Sequence, residues 1–291
     1  MPTSSIVAST DLDRADELRH VLTRRLDEGE LDLPLLPHVA NQVLTLAHDP
    51  NADAGKLATL IQQDQALAAQ ILRIANSPAY LPRSPIVSLQ QAIAWLGLNM
   101  LAGIAFSVSL QSGVFKIVGY EREVQLLWRH ALATGLYGKE IARRLRHNVE
   151  NAFLCGLLHT IGKPLILHVL VSDRQRSMRL PWSVLEPLIN EFHIPAGVRL
   201  AEAWALPDPV QETIRFYQDD RYHEARSPTK GAVITCLADH LATFLLDPAE
   251  MEEDALRALP VIRDLNLYPE DLTALLDLAD TVRPSVECLI V

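Results

Sequence analysis

The chain has 291 residues, 49% of them hydrophobic but only 5% aromatic, and a formal net charge of −10. That length can bury a large core, and a Leu- and Ala-rich, aromatic-poor mix favours helices over a β-sandwich. So acidic a chain repels a nucleic-acid backbone unless its cations are concentrated, and the nearest thing to a basic patch, Arg143, Arg144 and Arg146, reads as the cationic end of a helix.

Residues 11–28 read as a polar, amphipathic helix. Pro34 and Pro37 then force an entry turn before a helix from about His38 to Ala47, which Asp49-Pro50-Asn51 stops. Asp53 or a neighbour can cap the next helix, where Leu57, Leu60, Ile61, Leu67, Ile71 and Leu72 recur at helical spacing up to Asn76-Ser77-Pro78. Asp64 lies inside this pattern and is expected to bond a backbone amide or Arg73. Ser88 can cap a helix ending at Gly97, and the apolar pattern restarts at Leu98 and runs to about Val114. A long helix is expected over 121–146 and another over 151–161, with Gly162-Lys163-Pro164 as a break, since proline disfavours a helical residue before it. Weaker helical signals cover 182–192, 196–205, 209–217, 230–246, 252–259 and 270–280, with a charged loop at 219–229. No alternating strand pattern of useful length appears. The predicted class is all-α.

From Ser84 to Phe115 no residue is charged, yet Gln90, Gln91, Asn99 and Gln111 interrupt it, so a helix buried among helices is expected rather than a membrane span. Cys155, Cys236 and Cys288 are too few and too widely spaced for a disulfide framework or a CxxC pair. That spacing and the lack of a signal-peptide pattern in residues 1–10 point to the cytoplasm.

Three polar residues stand on otherwise apolar or small-residue helix faces. They are His130 beside Leu126, Leu127, Ala133 and Thr134; His159 beside Cys155, Gly156, Gly162 and Lys163; and Asp239 beside Thr235, Cys236, Ala242 and Thr243. Isolated burial of such groups costs several kcal/mol, so they need partners: they can satisfy one another or hold a metal. Their spacing alone carries no closed zinc signature such as HExxH.

Several segments, in this order, resemble the HDOD family, a degenerate branch of the HD metal-dependent phosphohydrolase superfamily related to the HD-GYP proteins. They are Leu33-Pro-Leu-Leu-Pro37, Ile61-Gln-Gln-Asp-Gln-Ala-Leu67, Ile71-Leu-Arg-Ile-Ala-Asn-Ser77, and Ser88-Leu-Gln-Gln-Ala-Ile-Ala-Trp-Leu-Gly97. Leu127-Trp-Arg-His130, Phe153-Leu-Cys-Gly-Leu-Leu-His159 and Trp204-Ala-Leu-Pro207 follow. The resemblance implies an N-terminal helical bundle (33–117) packed on an HD-like helical core (120–245), with extensions at 1–32 and 246–291.

HD enzymes hold divalent metals with a His, a His-Asp pair, further histidines and a distal Asp. By that resemblance His130 stands at the first His, His159 at the His of the pair, His193 at an HxxxG site and Asp239 at the distal Asp. Thr160 replaces the Asp of the pair, exchanging an anionic ligand for a neutral alcohol, and Phe216-Tyr217 stand where HD-GYP relatives carry paired histidines. The expectation is therefore a non-enzymatic bacterial signalling module, without a cofactor, acting through a protein partner, with a cyclic-dinucleotide pathway as the setting the family suggests. Two alternatives stay open. One is a residual phosphohydrolase or phosphodiesterase with a single divalent metal. The other is a nucleotide-sensing module using Thr160, Lys163 and Tyr217 as an anion pocket. No membrane or nucleic-acid partner is expected.

Overall fold

The computed structural model describes residues 3–48, 53–172 and 180–288, and every regular element among them is helical. The expected stop at Asp49-Pro50-Asn51 lies outside the described residues. Helix α1 (Thr3–Asp27) is followed by α2 (His38–His48), α3 (Ala54–Gln62) and α4 (Gln65–Ala75). The last two were expected as one helix. Asp64 separates them, because its carboxylate accepts from the amides of Ala66 and Leu67 and so starts a new helix. Asp53 caps α3 in the same way through Gly55 N.

Asn76 closes α4. Its side-chain amide donates to the carbonyls of Leu72 and Ile86, and its side-chain oxygen accepts from Ile86 N, all at 2.8 Å, which ties the 77–86 loop down. Ser88 caps α5 (Leu89–Leu96). Gly97, at φ +87°, then turns the chain into α6 (Leu98–Gly113), a conformation costly for any residue with a Cβ. The two apolar helices meet at 118°, so the uncharged stretch folds back on itself inside the bundle.

The core half is built around α7 (Glu121–Arg144), which packs on α8 (Val149–Leu158) and later on α12 (Gly231–Leu246). Glycines let α7 and α8 approach backbone to backbone: a Cβ at Gly156 would stand 2.8 Å from Thr134 O and 2.9 Å from Gly135 Cα. After one turn at 159–161 the chain re-enters a helix, α9 (Gly162–Ser172), where a break was expected. Pro164 sits in the first turn of α9, where an amide has no helical acceptor anyway, so it starts a helix instead of ending one. Together 149–172 are long and apolar enough to cross a membrane by length and composition alone, but 78% of the most apolar window is buried inside the protein.

Helix α10 (Trp182–Ala203) runs through both Pro187 and Pro195, joining what read as two helices. It packs tightly on α9, because a Cβ at Gly162 would fall 1.9 Å from His193 O. Helix α11 (Asp208–Phe216), the 219–230 loop and α12 complete the core. The short α13 (Glu253–Arg257), α14 (Pro260–Asp264) and α15 (Pro269–Leu276) lead to α16 (Ala279–Cys288).

Both terminal segments dock on the rest. α1 lies on α10, with Arg19 paired to Glu191 at 2.9 Å. α16 lies on α7 and α4, and Ser285 Oγ accepts from Ala79 N at 2.7 Å. Trp204 ties the entry segment to the core: its ring meets Phe106 and Phe115, and its Nε1 donates to Pro34 O at 2.9 Å.

Candidate functional site

Four helices bring the expected residues to the core half: His130 from α7, His159 from the end of α8, His193 from α10 and Asp239 from α12. Three of them meet. Oδ1 of Asp239 lies 2.6 Å from His130 Nε2 and 2.9 Å from His159 Nε2. The donor atoms of this trio all fall within 4.8 Å of one another.

The contact between His159 and Asp239 calls for a cation, either a proton or a metal ion. Nδ1 of His159 lies 2.6 Å from Gly156 O, and a carbonyl only accepts, so Nδ1 carries the proton. Burial lowers the His159 imidazole from its ordinary value, against the pull of Asp239. In the neutral ring its Nε2 lone pair would face the Asp239 carboxylate. Burial works against charge on Asp239, yet His130 and His159 together hold its carboxyl well below the usual range. A lone pair opposite an anionic oxygen at 2.9 Å is unfavourable unless a cation, a proton or a metal ion, lies between them. Neighbouring donors of an octahedral ion with bonds near 2.1 Å are roughly 3 Å apart, near the 2.6 and 2.9 Å that separate Asp239 from the two imidazoles. The trio therefore fits one divalent ion.

His193 is not part of the trio. Its Nδ1 donates to Asn190 O at 2.8 Å and its Nε2 accepts from the Tyr217 hydroxyl at 2.9 Å, so both ring nitrogens are engaged. Burial and the nearby Lys163 push its imidazole down to about 4, which keeps it neutral and able to accept from the phenol. The Tyr217 ring also packs edge-on against His159 at 4.8 Å between centroids. A phenol thus stands between the fourth expected ligand and the trio.

A cavity of about 440 Å³ opens beside the trio. Thr160, Lys163 and Tyr217 line it with His130 and Asp239, so the residues expected as an anion pocket do share one space. Arg129 lines it too, and its buried Nε has no hydrogen-bond partner. Sequence reasoning missed Arg129, because it reads as one more polar residue of a long helix. Glu123, Glu186, Asp247 and Glu250 stand in the same lining and temper its positive charge.

Comparison with known proteins places this geometry in context. The HDOD domain family matches residues 33–220. A protein of Treponema pallidum (strain Nichols), described as uncharacterized, is 26% identical over 198 residues, which cover 65% of this chain and 38% of that protein. The chain thus matches well under half of that relative's length. Among solved structures, a provisional metal-dependent phosphohydrolase from Shewanella amazonensis SB2B superposes with a TM-score of 0.75 at 22% identity, covering 94% of this chain and 99% of that one. An HDOD domain protein of unknown function from Geobacter sulfurreducens gives 0.68 at 25% identity over 94% and 97%. A provisional signal transduction protein from Marinobacter aquaeolei VT8 gives 0.63 at 23% over 94% and 65%.

Proposed function

Since the chain belongs to the HDOD family, we propose that it is a regulatory module that passes a signal through contact with a partner protein and does not turn over phosphoesters. The observation that carries this is the engagement of His193 by Tyr217 at 2.9 Å. With Thr160 in place of an acid, that bond takes from a second metal both the ligands the family pattern would offer it, and two-metal phosphodiester cleavage needs two ions about 3.5–4 Å apart. His130, His159 and Asp239 would hold one ion. When bound, it would polarise an oxygen of an anionic ligand. In that setting Asp239 supplies the charge, and Gly156 O fixes the ring of His159 so that Nε2 points inward.

The test is turnover. Purified protein with Mn²⁺ and either bis(4-nitrophenyl) phosphate or a cyclic dinucleotide is compared with His159→Ala. Equal background rates support the proposal; a wild-type rate that His159→Ala abolishes overturns it. A deletion strain restored as well by the His159→Ala, Asp239→Asn allele as by wild type supports signalling through contact.

A second reading rests on Arg129. An unpaired buried guanidinium nitrogen beside Lys163 suits a phosphate-bearing ligand such as a nucleotide, sensed without being cleaved. It predicts a higher melting temperature with nucleotide, lost in Arg129→Gln.

A further inference from the structure

A second group of metal-binding side chains lies on α12 and the loop before it, next to Asp239 along the helix but made of other residues. Cys236 and His240 are four residues apart, so one face of the helix presents both. Across from them the 219–230 loop brings Asp219. His240 Nε2 lies 2.8 Å from each carboxylate oxygen of Asp219, and Cys236 Sγ lies 3.1 Å from Asp219 Oδ1. The three donor atoms fall within 4.8 Å of one another. None of these residues belongs to the HD-type set described above.

We propose that Asp219, Cys236 and His240 form a separate site for one divalent ion of the zinc class. The donor set is the reason. One thiolate, one imidazole and one carboxylate suit Zn²⁺, Co²⁺ or Ni²⁺ and do not suit Mg²⁺ or Ca²⁺, which prefer all-oxygen shells. Bonds of about 2.3 Å to sulfur and 2.0–2.1 Å to nitrogen and oxygen separate tetrahedral donors by roughly 3.3–3.5 Å. The present spacings are a few tenths of an ångström shorter, and Asp219, on a loop with its side chain 55% exposed, can withdraw by that amount. Three protein ligands leave a fourth position for water, on the side where Asp219 meets solvent.

Without metal, Cys236 is a thiol donating to Asp219, and burial together with that carboxylate raises it well above an ordinary cysteine. Binding therefore displaces the thiol proton to solvent as the metal–sulfur bond forms. The site would clamp the 219–230 loop onto α12. That loop begins close after Tyr217, so the clamp would hold the phenol that engages His193. The site itself is independent of the regulatory reading.

The probe is Co²⁺ alone, titrated into the full chain under a phosphine reductant. Only a thiolate ligand gives the near-ultraviolet sulfur-to-cobalt band, so the His130, His159, Asp239 trio stays silent in this readout. We expect the band to saturate at one ion per chain, to persist in His159→Ala and to vanish in Cys236→Ser. Asp219→Asn, at an exposed position that spares the core, should need about tenfold more Co²⁺ or beyond. No band in the wild type, a band that survives Cys236→Ser, or unchanged affinity in folded Asp219→Asn overturns the proposal.

Discussion

Gly162→Ala probes the contact that seats the site. The added Cβ would lie 1.9 Å from His193 O and 2.8 Å from both His193 C and Gly197 N. Carbon–oxygen contacts rarely fall below about 3.3 Å, so α9 and α10 must part by more than about 1 Å. All three neighbours are helix backbone, and none can rotate away as a side chain would. Overpacking of this kind costs about 3 kcal/mol, the upper end of the usual range. Removing a glycine from a helix returns at most about 1 kcal/mol. The net loss is about 2 kcal/mol or more, a fall in melting temperature of about 3 °C or more for a chain of this size. Thermal and denaturant unfolding by circular dichroism measure it. Gly103→Ala is the control, since its Cβ would meet nothing closer than 3.5 Å, and it should be neutral or stabilising by up to about 1 kcal/mol. Gly162→Ala melting with the wild type would refute the argument that α9 and α10 are set by backbone contact.

Acid should destabilise the protein in two windows. His193 is held near 4 in the folded state against about 6.5 unfolded, so the unfolded chain binds more protons between those values. Its contribution is whole above about pH 6.5 and is lost toward pH 4, at most about 3 kcal/mol. His193→Gln should flatten that slope in denaturant midpoints. Asp239, held low by its two histidines, keeps its contribution above about pH 3.9 and loses it only below. Tyr217→Phe should cost about 1–2 kcal/mol in denaturant unfolding, because it leaves His193 Nε2 buried without its donor. Ser285→Ala should cost about 1 kcal/mol and speed amide exchange at Ala79, whose N–H loses its acceptor.

The helical class was legible because apolar spacing, the Asp53 and Ser88 caps and the break at Gly97 are local signals. Proline misled. Pro164 looked like a terminator but stands in a first turn, and Pro195 looked like a boundary but lies inside α10. A proline marks a missing donor, and whether a helix survives that depends on packing the sequence does not display. Asp64 was foreseen as an amide acceptor, yet its power to split one helix into two was not. At the site, the apolar faces around His130, His159 and Asp239 signalled burial, and the family resemblance named them. That Tyr217 would bond to His193 was invisible, because the two lie on separate segments whose packing decides their contact. The Asp219, Cys236, His240 group left one faint trace, a Cys and a His four apart on a helix, and its third member is set by a loop.

Helix α12 also bears on how this module can be carried from one protein to another. The span that matches the family ends at residue 220, eleven residues before α12 begins. Yet α12 supplies Asp239 and inserts Leu237, Leu241 and Ala242, all fully buried, against the rest of the core. A graft bounded by the recurring sequence would leave α7 and α8 with an open apolar wall and the trio short of its only anion. The portable unit is therefore larger than the recognisable one. A fusion seam belongs beyond Leu246, and the packing of α16 on α7 and α4 favours keeping the C-terminal helices as well.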